Sequence, residues 1–211
     1  SWGAHDEYTF DRLYEMLESR PADRLWHTGF LTLSSHEPFE VPYDRLKDKR
    51  QNSFAYTDHC LGEFIDRLKQ LPVWNNLLVI CLPDHGSSPT FNVTSPTFYH
   101  IPMLWLGGAI KAPAVIHTLM NQSDMPATLL GQLGLPHQDF KYSRNIFSNS
   151  YTYPFAYSTF SDGFMFKDST GVTIFDNAAR KTVYNEPAPD GAREEKGMAI
   201  LQTSYDQLGE N

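Results

Sequence analysis

The 211 residues, 41% hydrophobic and 14% aromatic, are enough for a well-buried core and exclude a chain disordered throughout. A net charge of −8 and a pI of 5.4, with no cluster of basic residues, exclude the electrostatic footprint of a DNA- or RNA-binding domain. The best apolar runs, residues 77–82 and 101–106, fall short of the roughly 18 to 20 residues that a membrane-spanning helix needs. No charged-then-apolar leader opens the sequence, so targeting signals say nothing of the compartment.

In chain order, residues 6–19 carry Phe10, Leu13, Tyr14 and Leu17 at helical spacing behind acidic residues, which predicts an amphipathic helix. Residues 26–33 read as a mostly apolar strand, stopped at His36 because Pro38 and Pro42 continue neither ladder nor helix. A second helix is predicted over residues 53–70, burying Phe54, Leu61, Phe64, Ile65 and Leu68 and ended by Pro72. The continuous apolar runs at residues 77–82 and 101–106 have the pattern of strands covered on both faces in a parallel sheet. Residues 123–134 specify a short helix with Ser123 as cap, Pro126 in the first turn and Gly134 as stop; Asp124 reads as a helix-start residue. Short aromatic or β-branched runs at 153–160, 163–167, 172–175 and 182–184 alternate with turn signals and predict an antiparallel meander. A polar linker, PAPDGAREEKG, then leads to a terminal helix over 198–208.

This order predicts an α/β fold with a parallel or mixed sheet and flanking helices over residues 1–150, and antiparallel strands with a C-terminal helix over 151–211 packed on the same domain. Ligands bind beyond the carboxyl ends of strands in such sheets. Two predicted strands end there in polar residues: one in Ser34, Ser35 and His36, the other in Asp84 and His85 followed by Gly86, read as allowing a tight turn. A carboxylate beside an imidazole offers an oxygen and a nitrogen ligand to a divalent metal; it is equally the pattern of an Asx turn beside a satisfied histidine. Two ligands do not close a site. Asp58-His59 repeats the pair inside a predicted helix and reads as structural, and the aromatics of residues 151–166 read as sheet packing. Cys60 and Cys81 read as small buried hydrophobes without a disulfide.

The segments FLTLSSHEPFEVP, AYTDHCLGEFIDRL, NNLLVICLPDHG, YHIPMLWLGG and SDMPATLLGQLGL follow one another in an order and spacing that resembles the lipoteichoic acid synthase and sulfatase-like branch of the alkaline phosphatase superfamily. The resemblance runs from WGAHDEYTFD to the final meander. It implies that Asp84 and His85 are two ligands of a divalent metal (Mn, Zn, Mg or Ca) and that His36 contacts the substrate phosphate; His100, where relatives often have a basic residue, either lines the same site or packs at the strand edge. It also implies a metal-activated Thr or Ser nucleophile upstream of WGAHDEYTFD, so that this chain alone is expected to be inactive and to leave a sheet edge uncovered, favouring self-association. The implied reaction is phosphotransfer or phosphodiester cleavage, like that of phosphoglycerol or phosphoethanolamine transferases, on lipid- or glycan-linked head groups. Its implied place is the extracytoplasmic face of a bacterial membrane, reached only through upstream residues. Two alternatives stand beside it: a sulfuric ester hydrolase with its formylglycine motif upstream, and a non-catalytic binding domain on the same fold. Neither Cys60-Leu61-Gly62 nor Cys81-Leu82-Pro83 satisfies C/S-x-P-x-R.

Overall fold

Helix α1 (Asp6–Glu18) forms where the spacing predicts it, and its buried stripe of Phe10, Leu13 and Leu17 packs on α2 (Lys49–Leu68) in the computed structural model, which describes residues 3–21, 23–87 and 92–209. Helix α2 starts four residues before the predicted Ser53, because Asp48 caps it by accepting from the Gln51 N–H. Its buried stripe is Ser53, Tyr56, Cys60, Phe64 and Leu68, at spacings of three and four residues; of the predicted residues Phe64 and Leu68 are buried and Leu61 and Ile65 partly so, while Phe54 stays 40% exposed. Asn52 turns inward as well, since its amide accepts from the Arg45 and Leu46 N–H groups and donates to the Tyr43 carbonyl. The chain divides into two compact units, Ser1–Cys81 with Leu104–Pro113, and Leu82–Met103 with Ala114–Asn211.

In the first unit, β1 (Val79–Cys81) pairs with β2 (Leu104–Leu106) in the register Val79 to Leu106 and Cys81 to Leu104. The two apolar runs are strands of one sheet, as expected of a parallel or mixed sheet, but this pair runs antiparallel, which their apolar pattern does not indicate. An unbroken apolar run carries no information on strand direction. Residues 26–33 do not join a ladder among the described residues. Extended backbone becomes a strand only when a partner takes up its N–H and C=O groups. Phe30 packs on Phe10 with ring centroids 4.9 Å apart, while Leu31, Leu33 and Leu104 are exposed.

In the second unit, β3 (Ala156–Phe160), β4 (Gly163–Asp168), β5 (Gly171–Asp176) and β6 (Lys181–Glu186) form the predicted antiparallel meander in that spatial order. Both faces of β4 are covered: Phe164 and Phe166 pack with Met198 and Leu201 of α4 (Gly191–Gly209), and Met165 with Val172, Ile174 and Tyr99. Helix α4 begins within the stretch predicted as a linker. Its polar first turn is held by Arg193, only 2% exposed, whose guanidinium donates to Thr173 Oγ1, Thr170 Oγ1, the Thr170 and Ala188 carbonyls and Asp190. Composition signalled a solvated segment because Arg is seldom buried unless it is paired in this way.

Helix α3 (Met125–Gln132) ends as predicted at Gly134, whose φ of 67° suits a glycine; the following Leu135 N–H closes on the Leu130 carbonyl. Its predicted cap, Ser123, is not the capping residue. A 3₁₀ turn over Gln122–Asp124 precedes the helix and is closed by a reciprocal capping box between Asn121 and Asp124. The division into units does not follow the boundary drawn at residue 150. Asn121 accepts from the Tyr157 N–H of β3, Tyr151 donates to the Leu119 carbonyl, and Arg144 donates to the Phe155 carbonyl, so the α3 region and the meander share one polar framework.

Asp168, at the end of β4, is the ionisable anchor of that unit. Burial by itself would raise its carboxyl, but hydrogen bonds from Thr170 and Tyr153, the Thr170 N–H and the Lys196 ammonium outweigh it and bring the group down to about 2. A folded-state value below the unfolded one of 3.8 gives stability that is fully present above about pH 4 and is lost as pH falls through about 2. The expected size is about 2 kcal/mol. Urea unfolding of the wild type and Asp168→Asn checks it: the gap between them should narrow steadily from pH 5 to pH 2, and a gap that stays constant refutes the assignment.

Candidate metal centre

Asp84 and His85 follow β1 in a two-residue bend, and both side chains are largely exposed. The Asp84 Oδ1 accepts from the N–H of the next residue, His85, at 3.0 Å, a shorter-range bond than the Asx turn, which would close on residue 86, and the carboxylate stays largely exposed. His85 Nδ1 lies 2.8 Å from the Gly86 carbonyl, which can only accept. Nδ1 therefore carries the proton in the neutral ring, and Nε2 presents its lone pair outward. Nε2 and Asp84 Oδ1 are 3.9 Å apart, too far for a hydrogen bond but within the span of about 4.2 Å open to two ligands each about 2.1 Å from one ion. A carboxylate oxygen, an outward imidazole nitrogen and a backbone carbonyl fixing the tautomer are a donor set that suits a divalent cation. Among the described residues no group of three or more His, Cys, Asp or Glu assembles to hold a metal, so the pair by itself offers only two donors.

Gly86 matters for a reason other than the tight turn its type suggested. A Cβ built there would stand 1.5 Å from the Phe98 carbonyl oxygen, so only glycine lets the 84–87 segment approach the 96–99 turn so closely. From the other side, the Gln122 amide donates to the Pro83 carbonyl at 2.7 Å and the Asp84 carbonyl at 3.2 Å. No motif in the sequence pointed to Gln122; a residue 38 positions away contributes only once the fold brings it there. Asp124, expected merely to start a helix, is fully buried and takes Arg144 Nε and Nη2 at 2.9 and 2.7 Å, the Arg144 N–H and the Asn121 N–H.

His100 stands exposed at the end of the 96–99 turn, its N–H on the Thr97 carbonyl. His36 belongs to the first unit. It is exposed, with Nδ1 3.0 Å from the Glu37 carbonyl, and its loop is built of two successive turns closed by the His36 and Phe39 N–H groups. The loop is anchored by Asp6, a residue read from sequence only as a favourable charge at a helix start. Its fully buried carboxylate accepts from the Leu33 and Ser34 N–H groups at 2.8 and 3.1 Å and from Thr57 Oγ1 of α2 at 2.7 Å, while its own N–H donates to Ser34 Oγ. Asp58-His59 keeps to its helix surface, where His59 lies 3.5 Å from Glu63 and stacks on Tyr43. Cys60 and Cys81 are both free thiols, raised by burial.

Sheets, flanking helices and terminal helix together make an α/β fold similar to that of a crystal structure of a protein in the alkaline phosphatase superfamily from Vibrio parahaemolyticus, which superposes with a TM-score of 0.76 over 99% of this chain and 56% of that one, at 21% identity. The family model for sulfatases matches residues 1–135, more than half of the sequence, and the chain belongs to the sulfatase family. Among curated relatives, the lipoteichoic acid synthase-like protein YvgJ of Bacillus subtilis (strain 168) is 26% identical over 189 residues, covering 74% of this chain. The chain spans 30% of the length of that relative.

Proposed function

We propose that this chain supplies two metal ligands and a phosphate-binding histidine to a metal-dependent phosphotransferase or phosphodiesterase acting on lipid- or glycan-linked head groups at the extracytoplasmic face of a membrane. The observation that carries the reading is the outward pairing of His85 Nε2 and Asp84 Oδ1 at 3.9 Å with the imidazole tautomer set by the Gly86 carbonyl. Similarity to a lipoteichoic acid synthase-like protein supports the choice of a phosphodiester substrate and of the compartment. In this reading the remaining ligands and the hydroxyl nucleophile come from outside the described residues.

Asp84 and His85 would hold the cation through one oxygen and one nitrogen, and the two carbonyl contacts of Gln122 hold the backbone on either side of the Asp84 Cα. A bound divalent cation supplies Lewis-acid polarisation of the phosphoryl oxygens and lowers the pKa of a hydroxyl nucleophile. His36 already directs Nδ1 at the Glu37 carbonyl, so donation from Nε2 to a non-bridging phosphoryl oxygen requires the imidazolium form, whose charge also offsets that of the transition state. Buried Asp6 keeps the His36 loop from shifting during the reaction. His100 is assigned to a neighbouring phosphate oxygen.

Bis(p-nitrophenyl) phosphate and p-nitrophenyl sulfate, offered to the natural full-length protein with and without EDTA, test the reading. Cleavage of the phosphodiester is expected to exceed that of the sulfate and to fall at least about 100-fold in EDTA, because the chelator removes the cation's stabilisation of charge in the transition state. Faster sulfate cleavage would transfer the assignment to a sulfuric ester hydrolase. Cleavage of neither, with metal bound, would leave a binding domain on this fold.

A further inference from the structure

We propose that Gln122 is a positioning residue that sets the affinity of the Asp84–His85 pair for a divalent cation, an inference that rests on the reading of that pair as metal ligands. The Gln122 Nε2 donates to two successive carbonyls, Pro83 at 2.7 Å and Asp84 at 3.2 Å, which belong to the peptide groups on either side of the Asp84 Cα. One amide therefore fixes the orientation of both peptides from which the Asp84 side chain departs. The peptide between Asp84 and His85 is held at both ends, its oxygen by Gln122 and its N–H by Asp84 Oδ1 at 3.0 Å. Together with the His85 Nδ1 contact to the Gly86 carbonyl, these bonds fix the directions in which the carboxylate and Nε2 face.

The clamp stands on rigid ground. Gln122 opens the 3₁₀ turn closed by the Asn121–Asp124 capping box, Asn121 is tied to β3 by the Tyr157 N–H, and the buried Asp124 carboxylate is neutralised by Arg144. An exposed glutamine making neutral hydrogen bonds is a small contributor to folding, whereas groups that orient metal ligands commonly change affinity 10- to 100-fold. Affinity and stability should therefore respond differently to its replacement.

The experiment is calorimetric titration of Mn²⁺ into the natural full-length protein and its Gln122→Ala and Gln122→Glu variants, with thermal unfolding of each in EDTA. Weakening of Mn²⁺ binding by at least about tenfold in both variants is expected, because neither side chain donates to the two carbonyls when the glutamate is ionised. The metal-free midpoint should move by less than about 2 °C. Unchanged affinity in both variants would overturn the role of Gln122 and leave the Asp84–His85 reading standing. A large fall in the metal-free midpoint that accompanies the loss of affinity would assign Gln122 to folding and overturn positioning. Absence of Mn²⁺ binding by the wild type would overturn both this inference and the metal site beneath it.

Discussion

Asp84→Ala and His85→Ala are each expected to weaken divalent-cation binding by the natural full-length protein more than about 100-fold, beyond what loss of a ligand's supporting contact causes. Ligand count sets the size of the effect. Only two donors converge among the described residues, so each is a large share of the site, and neither has a neighbouring His, Cys, Asp or Glu that could replace it. The structural cost should be slight, since both side chains are largely exposed and make only local contacts. Titration with Mn²⁺, Zn²⁺, Mg²⁺ and Ca²⁺ reads the effect and identifies the preferred ion. Cation binding that survives both substitutions would place the metal elsewhere, and the proposed function would lose its central observation.

The largest stability effect is expected at the other end of the same framework. Arg144→Met should destabilise the fold by about 3 kcal/mol or more, the usual cost of leaving one member of a buried ion pair uncompensated. The Asp124 carboxylate is fully buried and would keep only the Asn121 and Arg144 N–H groups. Arg144 also covers the Phe155 ring, with Cζ 3.7 Å from its centroid, and bonds the Phe155 carbonyl, so the loss extends to the entry into β3. A double-mutant cycle with Asp124→Asn separates the terms: the second substitution should recover part of the loss by removing the stranded charge. Urea unfolding that shows less than about 1 kcal/mol for Arg144→Met would mean that water reaches the carboxylate freely. Because Gln122 lies in the turn that Asp124 closes, the same variant should also loosen cation binding.

How much of this was legible in the chain depends on whether the cause lay near in sequence. Helix α1, the stop at Gly134 and the four strands of the meander follow from periodicity, a glycine at positive φ and turn residues, all local effects. Asp84-His85 was legible for the same reason: the pair is contiguous, and its bend is made by its own backbone and side-chain bonds. Apolarity pointed to Phe54 as part of the α2 stripe, whereas the packing of α2 on α1 buries Tyr56, Cys60 and Phe64 and turns Ser53 rather than Phe54 inward.

What only the tertiary structure decided involves partners far apart in the chain. The antiparallel pairing of β1 with β2, the lack of a ladder at residues 26–33 and the burial of Arg193 depend on which backbone or side chain arrives from elsewhere. The same is true of Asp6 beneath the His36 loop and of Gln122 against the Pro83 and Asp84 carbonyls. A polar side chain read from sequence is a solvated one by default, since burial costs free energy unless every hydrogen-bonding group is satisfied, and that satisfaction exists only once the fold has formed. The sequence by itself determined the local elements and the identity of the two candidate ligands; the fold decided what orients them.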